Sequence, residues 1–263
     1  MSRTVRVLFL GDVVGQPGVR AVFTHLRTLI KKYKADFTFL NGENAYRGFG
    51  LTPEIVETFR NAGVDCITSG NHIWQDESVF PLLRKGLFVL RPANYPLNDF
   101  GTGYTVVEKA GIKIGVLNIM GRYQLANIDC PFKCAAKWAR ETGKITPLLF
   151  IDFHAESSEE KEALACYLSG KVSAVVGTHT HVQTADERLV NDETAYITDA
   201  GMVGASLSVI GGDIDASVQR QMTMIPLKME PAEESVVMQG VVIDMDCETG
   251  RAVQIQRISD SVF

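Results

Sequence analysis

Apolar positions along the chain form two patterns that alternate: short runs, and stripes spaced three to four residues apart. Val5–Leu10 is an apolar run closed by Gly11, as in a strand buried on both faces. Pro17 suits a first helical turn. After it, Val19, Val22, Phe23, Leu26, Leu29, Ile30 and Tyr33 share one helical face, and Lys31, Lys32 and Lys34 suit the helix C-terminus. Phe37–Leu40 predicts the next strand. Thr52 and Pro53 start a helix carrying Ile55, Val56 and Phe59, which Gly63 stops. Val64–Thr68 predicts a third strand.

The second half alternates less regularly. Tyr104–Val107 and Ile112–Ile119 predict a hairpin around Lys109–Gly111. Leu148–Phe153, Val172–Val176 and Ala195–Thr198 predict strands. Ser157 with Glu160 forms a capping box for a helix that Gly170 ends. Met222–Leu227, Val236–Met245 and Ala252–Ile258 read as a β-rich tail without intervening helices. Residues 121–147 and 204–221 carry weak patterns and are expected as loops or small caps. No repeat, low-complexity run or linker interrupts the chain, so residues 1–263 are expected as one domain of α/β or α+β class with mixed sheets.

Composition narrows the function classes. The 263 residues are 46% hydrophobic, enough to fill a sizeable core. Twenty-six basic residues against 31 acidic ones give a net charge of −5, which argues against a grip on the backbone of long nucleic acid but not against a small nucleotide. Five scattered cysteines do not form a disulfide framework, and the close pair Cys130 and Cys134 has no second pair to complete a zinc set. The N-terminal apolar run is interrupted by Asp12 and lacks a cleavage site, and no apolar stretch reaches membrane-spanning length. A reduced, cytoplasmic protein without a membrane span is the expectation.

The polar residues that break this pattern sit just after the runs. Gly11-Asp12 follows Val5–Leu10, and Asn41-Gly42-Glu43-Asn44 follows Phe37–Leu40. Gly70-Asn71-His72 follows Val64–Thr68, Asp152-Phe153-His154 ends the run from Leu148, and Gly177-Thr178-His179-Thr180-His181 follows Val172–Val176. In a parallel sheet the C-terminal strand ends share one edge, where ligands bind, so distant clusters can converge there. Carboxylate, carboxamide oxygen and imidazole together suit borderline metals. His179 and His181 are two apart, so in an extended segment their rings face the same way. A lone strand-end Asp or Asn is ordinarily a turn or cap residue; the five clusters together are what point to a metal site. Four of the five histidines belong to them, and His25 alone reads as structural or surface. Competing motifs fail on spacing. Gly11 to Gly18 is not a dinucleotide fingerprint, no P-loop Lys-Ser/Thr follows, and no nucleophile elbow is present.

The set GD, NGEN, GNH, FH and GTHTH resembles the calcineurin-like metallophosphoesterase superfamily. The stretches LFLGDVVGQPG, NGENAYRGFGLT, GNHIWQ, RPANYP, IDFHAE and GTHTHVQTADE resemble its bacterial YmdB-like branch, from about Val5 to Ile258. The resemblance implies a four-layer αββα sandwich of mixed sheets around two metal ions. Asp12, Glu43, Asn44 and His181 would hold one, and Glu43, Asn71, His154 and His179 the other, with Glu43 bridging. His72 would sit beside them as the catalytic partner. Two positions depart from the superfamily: Asp12 is followed by Val13-Val14 instead of the second residue of Asp-x-His, and Glu43 replaces the bridging Asp. Both are features of the branch. They leave the metal open; the branch implies iron, with manganese or zinc able to substitute.

The activity so implied is hydrolysis of 2′,3′-cyclic nucleotides, and of related cyclic nucleotides or model diesters, by a metal-bridging hydroxide, opening the ring at the 2′ bond. His72, if protonated, would help the leaving oxygen. Arg122 and Arg91 are candidates for phosphate or base contacts, weighed against surface salt bridges. Two alternatives stay open: a phosphomonoesterase of the same superfamily, and a regulatory or scaffold protein that keeps the centre as a fold element. The complete ligand set argues against the second. A homo-oligomer is compatible with the resemblance, but no residue fixes its order.

Overall fold

The computed structural model describes residues 3–86, 88–96, 99–228 and 230–262. Residues 1, 2 and 263, the ends of the expected domain, lie outside them. The first half follows the predicted alternation: β1 (Thr4–Val13), α1 (Gly15–Tyr33), β2 (Phe37–Asn41), α2 (Pro53–Ala62) and β3 (Cys66–Thr68). Thr52 caps α2 by accepting from Ile55 N, and Gly63 ends it at a φ of 109°. On α1 the predicted face is buried at Val19, Val22, Leu26 and Leu29 and half-buried at Ile30 and Tyr33, whereas Phe23 is 57% exposed. A short α3 (Phe80–Lys85) follows, then the hairpin β4 (Tyr104–Lys109) and β5 (Ile112–Met120).

The remaining elements are α4 (Pro131–Thr142), β6 (Leu149–His154), α5 (Ser158–Leu168), β7 (Ala174–Thr178), β8 (Arg188–Val190), β9 (Thr194–Ile197), β10 (Met202–Ala205), α6 (Ile214–Thr223), β11 (Val236–Asp246) and β12 (Ala252–Ser261). Met222 belongs to α6, and residues 224–227 form no strand, so the expected first strand of the tail is absent. Asp213 supplies the cap that starts α6, accepting from Ala216 N, in a stretch where apolar spacing alone was mute. The capping box on α5 is half formed. Ser157 Oγ accepts from Glu160 N, but the Glu160 carboxylate turns away and accepts from Arg122 N.

Two six-stranded sheets result, ordered β12-β11-β10-β1-β2-β3 and β4-β5-β6-β7-β9-β8. Both are mixed, as expected: the first is parallel from β10 to β3 and antiparallel at its β11-β12 side, and the second has a parallel centre between antiparallel edges. Phe9 and Phe39 from one sheet meet Phe150 from the other, with ring centroids 5.2 and 5.5 Å apart, in the apolar layer between the sheets. Val22, Leu26, Val56 and Phe59 of α1 and α2 cover the outer face of the first sheet. Ala135 and Trp138 of α4, with Leu164 and Leu168 of α5, cover the outer face of the second. The layers are therefore helix, sheet, sheet, helix. No helix among the described residues is long and apolar enough to cross a membrane.

β1 is irregular near its C-terminal end. Thr4–Leu10 pair with β11, whereas Asp12 and Val13 pair with β10, and the β2 register shifts between Leu10 and Asp12. Gly11 sits at that shift, where a Cβ would collide with the Gly201 carbonyl. The strand does not stop at Gly11; it passes through a glycine-sized gap and carries Asp12 to the sheet's C-terminal edge.

Candidate metal centre

The C-terminal ends of β1, β2 and β3 in one sheet and of β6 and β7 in the other lie at the same edge of the sandwich. Their polar residues meet there around Glu43, which is fully buried. Asn41 at the end of β2 turns the chain: its Oδ1 accepts from Glu43 N at 3.1 Å. Glu43 Oε1 lies 3.1 Å from His154 Nε2 and 3.2 Å from His72 Nδ1, and Oε2 accepts from His72 N at 3.0 Å. His154 Nε2 is also 3.1 Å from Asn71 Oδ1 and 3.0 Å from His179 Nδ1. Asp12 Oδ2 accepts from His179 N at 3.0 Å, and its Oδ1 is 3.8 Å from His181 Nε2. Asn44 Nδ2 lies 3.0 Å from His181 Nε2 and 3.1 Å from Glu43 Oε1. All eight candidate residues thus come together.

The His179–His181 segment is not extended. β7 ends at Thr178, and His179 and His181 take φ angles of 109° and 64°, a region that side-chain-bearing residues rarely enter. The two rings reach the centre because the turn is left-handed at both positions, not because they alternate along a strand. Gly70 has a different necessity: a Cβ there would overlap Glu43 Oε2 and the His154 ring. Only glycine lets the chain leading into Asn71 and His72 pass so close to the centre.

The electrostatics are those of a cation site. Asp12, Glu43 and Asp152 are all fully buried. Burial pushes the Asp12 carboxyl up, against the pull of His181 and His154. Burial acts on Glu43 in the same sense, but His154 and His72 outweigh it and hold that carboxyl well below the usual range. Burial disfavours charge on His154, yet Glu43, Asp12 and Asp152 overcome it and lift the imidazole to about 9. Burial and the His154 charge push His179 down to about 3. A cation stabilises buried carboxylates, and imidazole nitrogens facing one another can share a bound ion or a proton. Glu43, His154 and His179 each offer a ligand atom within 4.8 Å of the others, the group among the described residues that could hold a metal. Nitrogen and oxygen donors of this kind suit borderline divalent or trivalent ions. Asn44 presents its amide nitrogen to the centre and its oxygen to His72 Nδ1, at 2.7 Å; turning the amide over would offer the oxygen as a ligand.

A second tier supports the donors. Asp152 accepts from Asn41 Nδ2 at 2.9 Å, from Thr178 Oγ1 at 2.7 Å and from Thr68 Oγ1. Thr178 Oγ1 lies 3.0 Å from His154 Nδ1 and so orients that ring. Burial raises Asp152 to about 7, opposed by His154 and the two threonines. Asn118 on β5 holds the Ser69 backbone, accepting from its N–H at 3.0 Å and donating to its carbonyl at 2.8 Å. His25 lies away on α1, with Nδ1 2.7 Å from Thr24 Oγ1.

Neither arginine singled out from the sequence reaches the centre. Arg91 is buried and donates to the carbonyls of Phe100 and Pro92. Arg122 gives its backbone N–H to Glu160. The cleft at the centre, about 330 Å³, is lined instead by Arg220 of α6 and by Phe49. Nothing in the local sequence marks either. Asp199, which braces the histidine turn, could have been found: it follows the predicted strand Ala195–Thr198 as the other polar clusters follow theirs.

The family described as "YmdB-like protein" matches residues 8–258. A Bacillus subtilis (strain 168) protein described as 2′,3′-cyclic-nucleotide 2′-phosphodiesterase is 45% identical over 254 residues, covering 97% of this chain and 96% of its own. A crystal structure from Mycoplasma pneumoniae, described as a novel phosphatase, superposes with a TM-score of 0.92 at 32% identity, covering 99% of this chain and 95% of that one. The NAD nucleotidase of Haemophilus influenzae shares the fold alone, with a TM-score of 0.61 at 14% identity, covering all of this chain and 57% of that one.

Proposed function

The chain belongs to the YmdB-like family, and on that premise we propose that it is a two-metal phosphodiesterase that opens 2′,3′-cyclic nucleotides to 3′-nucleotides. The observation that carries the reading is the buried Glu43 carboxylate. It stands among donors from both sheets, 3.1 Å from His154 and from Asn44 and 3.2 Å from His72. Asp12, Glu43, Asn44 and His181 would hold one metal, and Glu43, Asn71, His154 and His179 the other. Bound metals supply Lewis acidity, drawing charge from phosphoryl oxygens and making water a better nucleophile near neutral pH. Iron is the expected occupant, with manganese or zinc as substitutes.

The protein's own groups do the rest. With the Asn44 amide turned so that its oxygen would face a metal, its nitrogen would donate to His72 Nδ1, fixing the ring and leaving its proton at Nε2 of a residue that lines the cleft. A proton held at Nε2 is placed for the 2′ oxygen as the P–O2′ bond breaks, the 3′ ester remaining intact. The His154 ring is held from behind by Thr178, so the donor face keeps one orientation through turnover. A cytoplasmic setting, one continuous domain and self-association belong to the same reading.

The test is to load the purified protein with manganese or iron and supply adenosine 2′,3′-cyclic phosphate, identifying the product chromatographically. Adenosine 3′-monophosphate is expected. Turnover of 4-nitrophenyl phosphate but not of the cyclic diester would make it a phosphomonoesterase. A metal-replete protein that turns over neither would make it a regulatory or scaffold protein.

A further inference from the structure

We propose that the cleft beside the metal residues is a nucleoside pocket in which Phe49 is the stacking platform for the base and Arg220 contacts the base's polar edge. The inference rests on the phosphodiesterase reading and adds what the metal residues cannot provide, a grip on the part of the substrate that does not react. The cleft of about 330 Å³ is lined by unlike residues. His72, His179 and His181 line it at the metal residues, where the phosphate would sit. Phe49, Ile210 and Pro231 add apolar surface, and Glu156 and Glu230 add carboxylates. Phe49 is 42% exposed, although it sits in the turn that carries Glu43 and Asn44. Its ring stands perpendicular to the His72 imidazole, at 88° with centroids 4.9 Å apart. An aromatic ring left open beside a phosphate site suits a base, whose π face stacks without regard to sequence.

Among the described residues, Arg220 is the only lysine or arginine lining the cleft. A guanidinium donates through a planar fork, which matches the paired acceptors on a base edge. It reaches the cleft from α6, whose apolar residues Ile214, Val218 and Met222 are 41%, 47% and 80% exposed, so the helix is placed less by core packing than by its ends. The turn that brings Ile210 to the cleft is held on His181, whose Nδ1 lies 2.8 Å from the Ile210 carbonyl. Base wall and metal residues are therefore joined directly.

The experiment compares two five-membered cyclic diesters, adenosine 2′,3′-cyclic phosphate and the base-free glycerol 1,2-cyclic phosphate, on manganese-loaded wild type, Phe49→Ala, Phe49→Trp and Arg220→Ala. The kcat/KM preference for the nucleotide should fall about tenfold in Phe49→Ala and in Arg220→Ala, chiefly through KM, and Phe49→Trp should restore it. An unchanged preference in both alanine variants overturns the proposal. Calorimetric titration with adenosine 3′-monophosphate gives an independent readout: about tenfold weaker binding by Phe49→Ala supports the pocket, and equal affinity overturns it. If wild type opens neither diester, the phosphodiesterase reading falls, while the titration still decides whether the pocket takes a nucleotide.

Discussion

Lys161 Nζ lies 3.0 Å from Asp199 Oδ2, and both side chains are buried. Asp199 also accepts from Thr180 N at 3.0 Å and from Gly201 N at 2.9 Å. Thr180 separates the two histidines of the left-handed turn, and the Gly201 carbonyl accepts from Asp12 N at 3.1 Å. One ion pair thus ties α5 to the histidine turn and to the strand end that presents Asp12. Removing one partner of a buried pair leaves an uncompensated charge, which ordinarily costs about 3–5 kcal/mol. Lys161→Met should lose that much stability in urea denaturation and should bind less metal. A loss under about 1 kcal/mol would show that the pair is replaceable.

His72 lines the cleft, with its Nδ1 held at Asn44. His72→Ala should lower kcat by about 10²–10⁴-fold and leave two metals per chain by elemental analysis. Loss of a metal would instead make His72 a ligand.

Gly70→Ala puts a methyl group where Glu43 Oε2 and the His154 ring already are. The variant should keep its secondary structure by circular dichroism but bind metal below stoichiometry, because the backbone must shift to admit the Cβ. Full metal occupancy would mean that the turn into Asn71 yields without cost.

If the centre holds metals as proposed, removing them would leave Asp12 and Glu43 buried with only His154 to offset them. The melting temperature should therefore fall on chelation and rise again with added metal. At a free concentration about 100 times Kd, a single site adds about 2.7 kcal/mol. A melting temperature independent of metal would mean that the protonated His154 alone compensates the carboxylates.

Phe150 tests the layer between the sheets, since it touches both Phe9 and Phe39. Phe150→Ala should cost about 3–5 kcal/mol in denaturant unfolding. A much smaller loss would mean that the two sheets close over the gap.

The sequence by itself determined most of the strands, the helices α1, α2 and α5, and the polar residues that gather at the centre. Buried parallel strands need unbroken apolar runs, and the polar residues that end them stand out against that background. Thr52 and Gly63 mark α2 because caps are local chemistry, readable without the fold. Tertiary structure decided what depends on distant parts of the chain. Phe23 lies on the apolar stripe of α1 but finds no sheet opposite it. Residues 131–142 form a core helix because β5 offers Trp138 a surface, and apolar spacing alone did not reveal this. The Glu160 side chain leaves its capping box for the backbone at Arg122. His179 and His181 share a side only because Asp199, Lys161 and Asp12 hold their turn left-handed, and Phe49 and Arg220 line one cleft although 171 positions separate them. Periodicity and capping act within a few residues, whereas a cleft exists only where separate strands and helices bring their ends together.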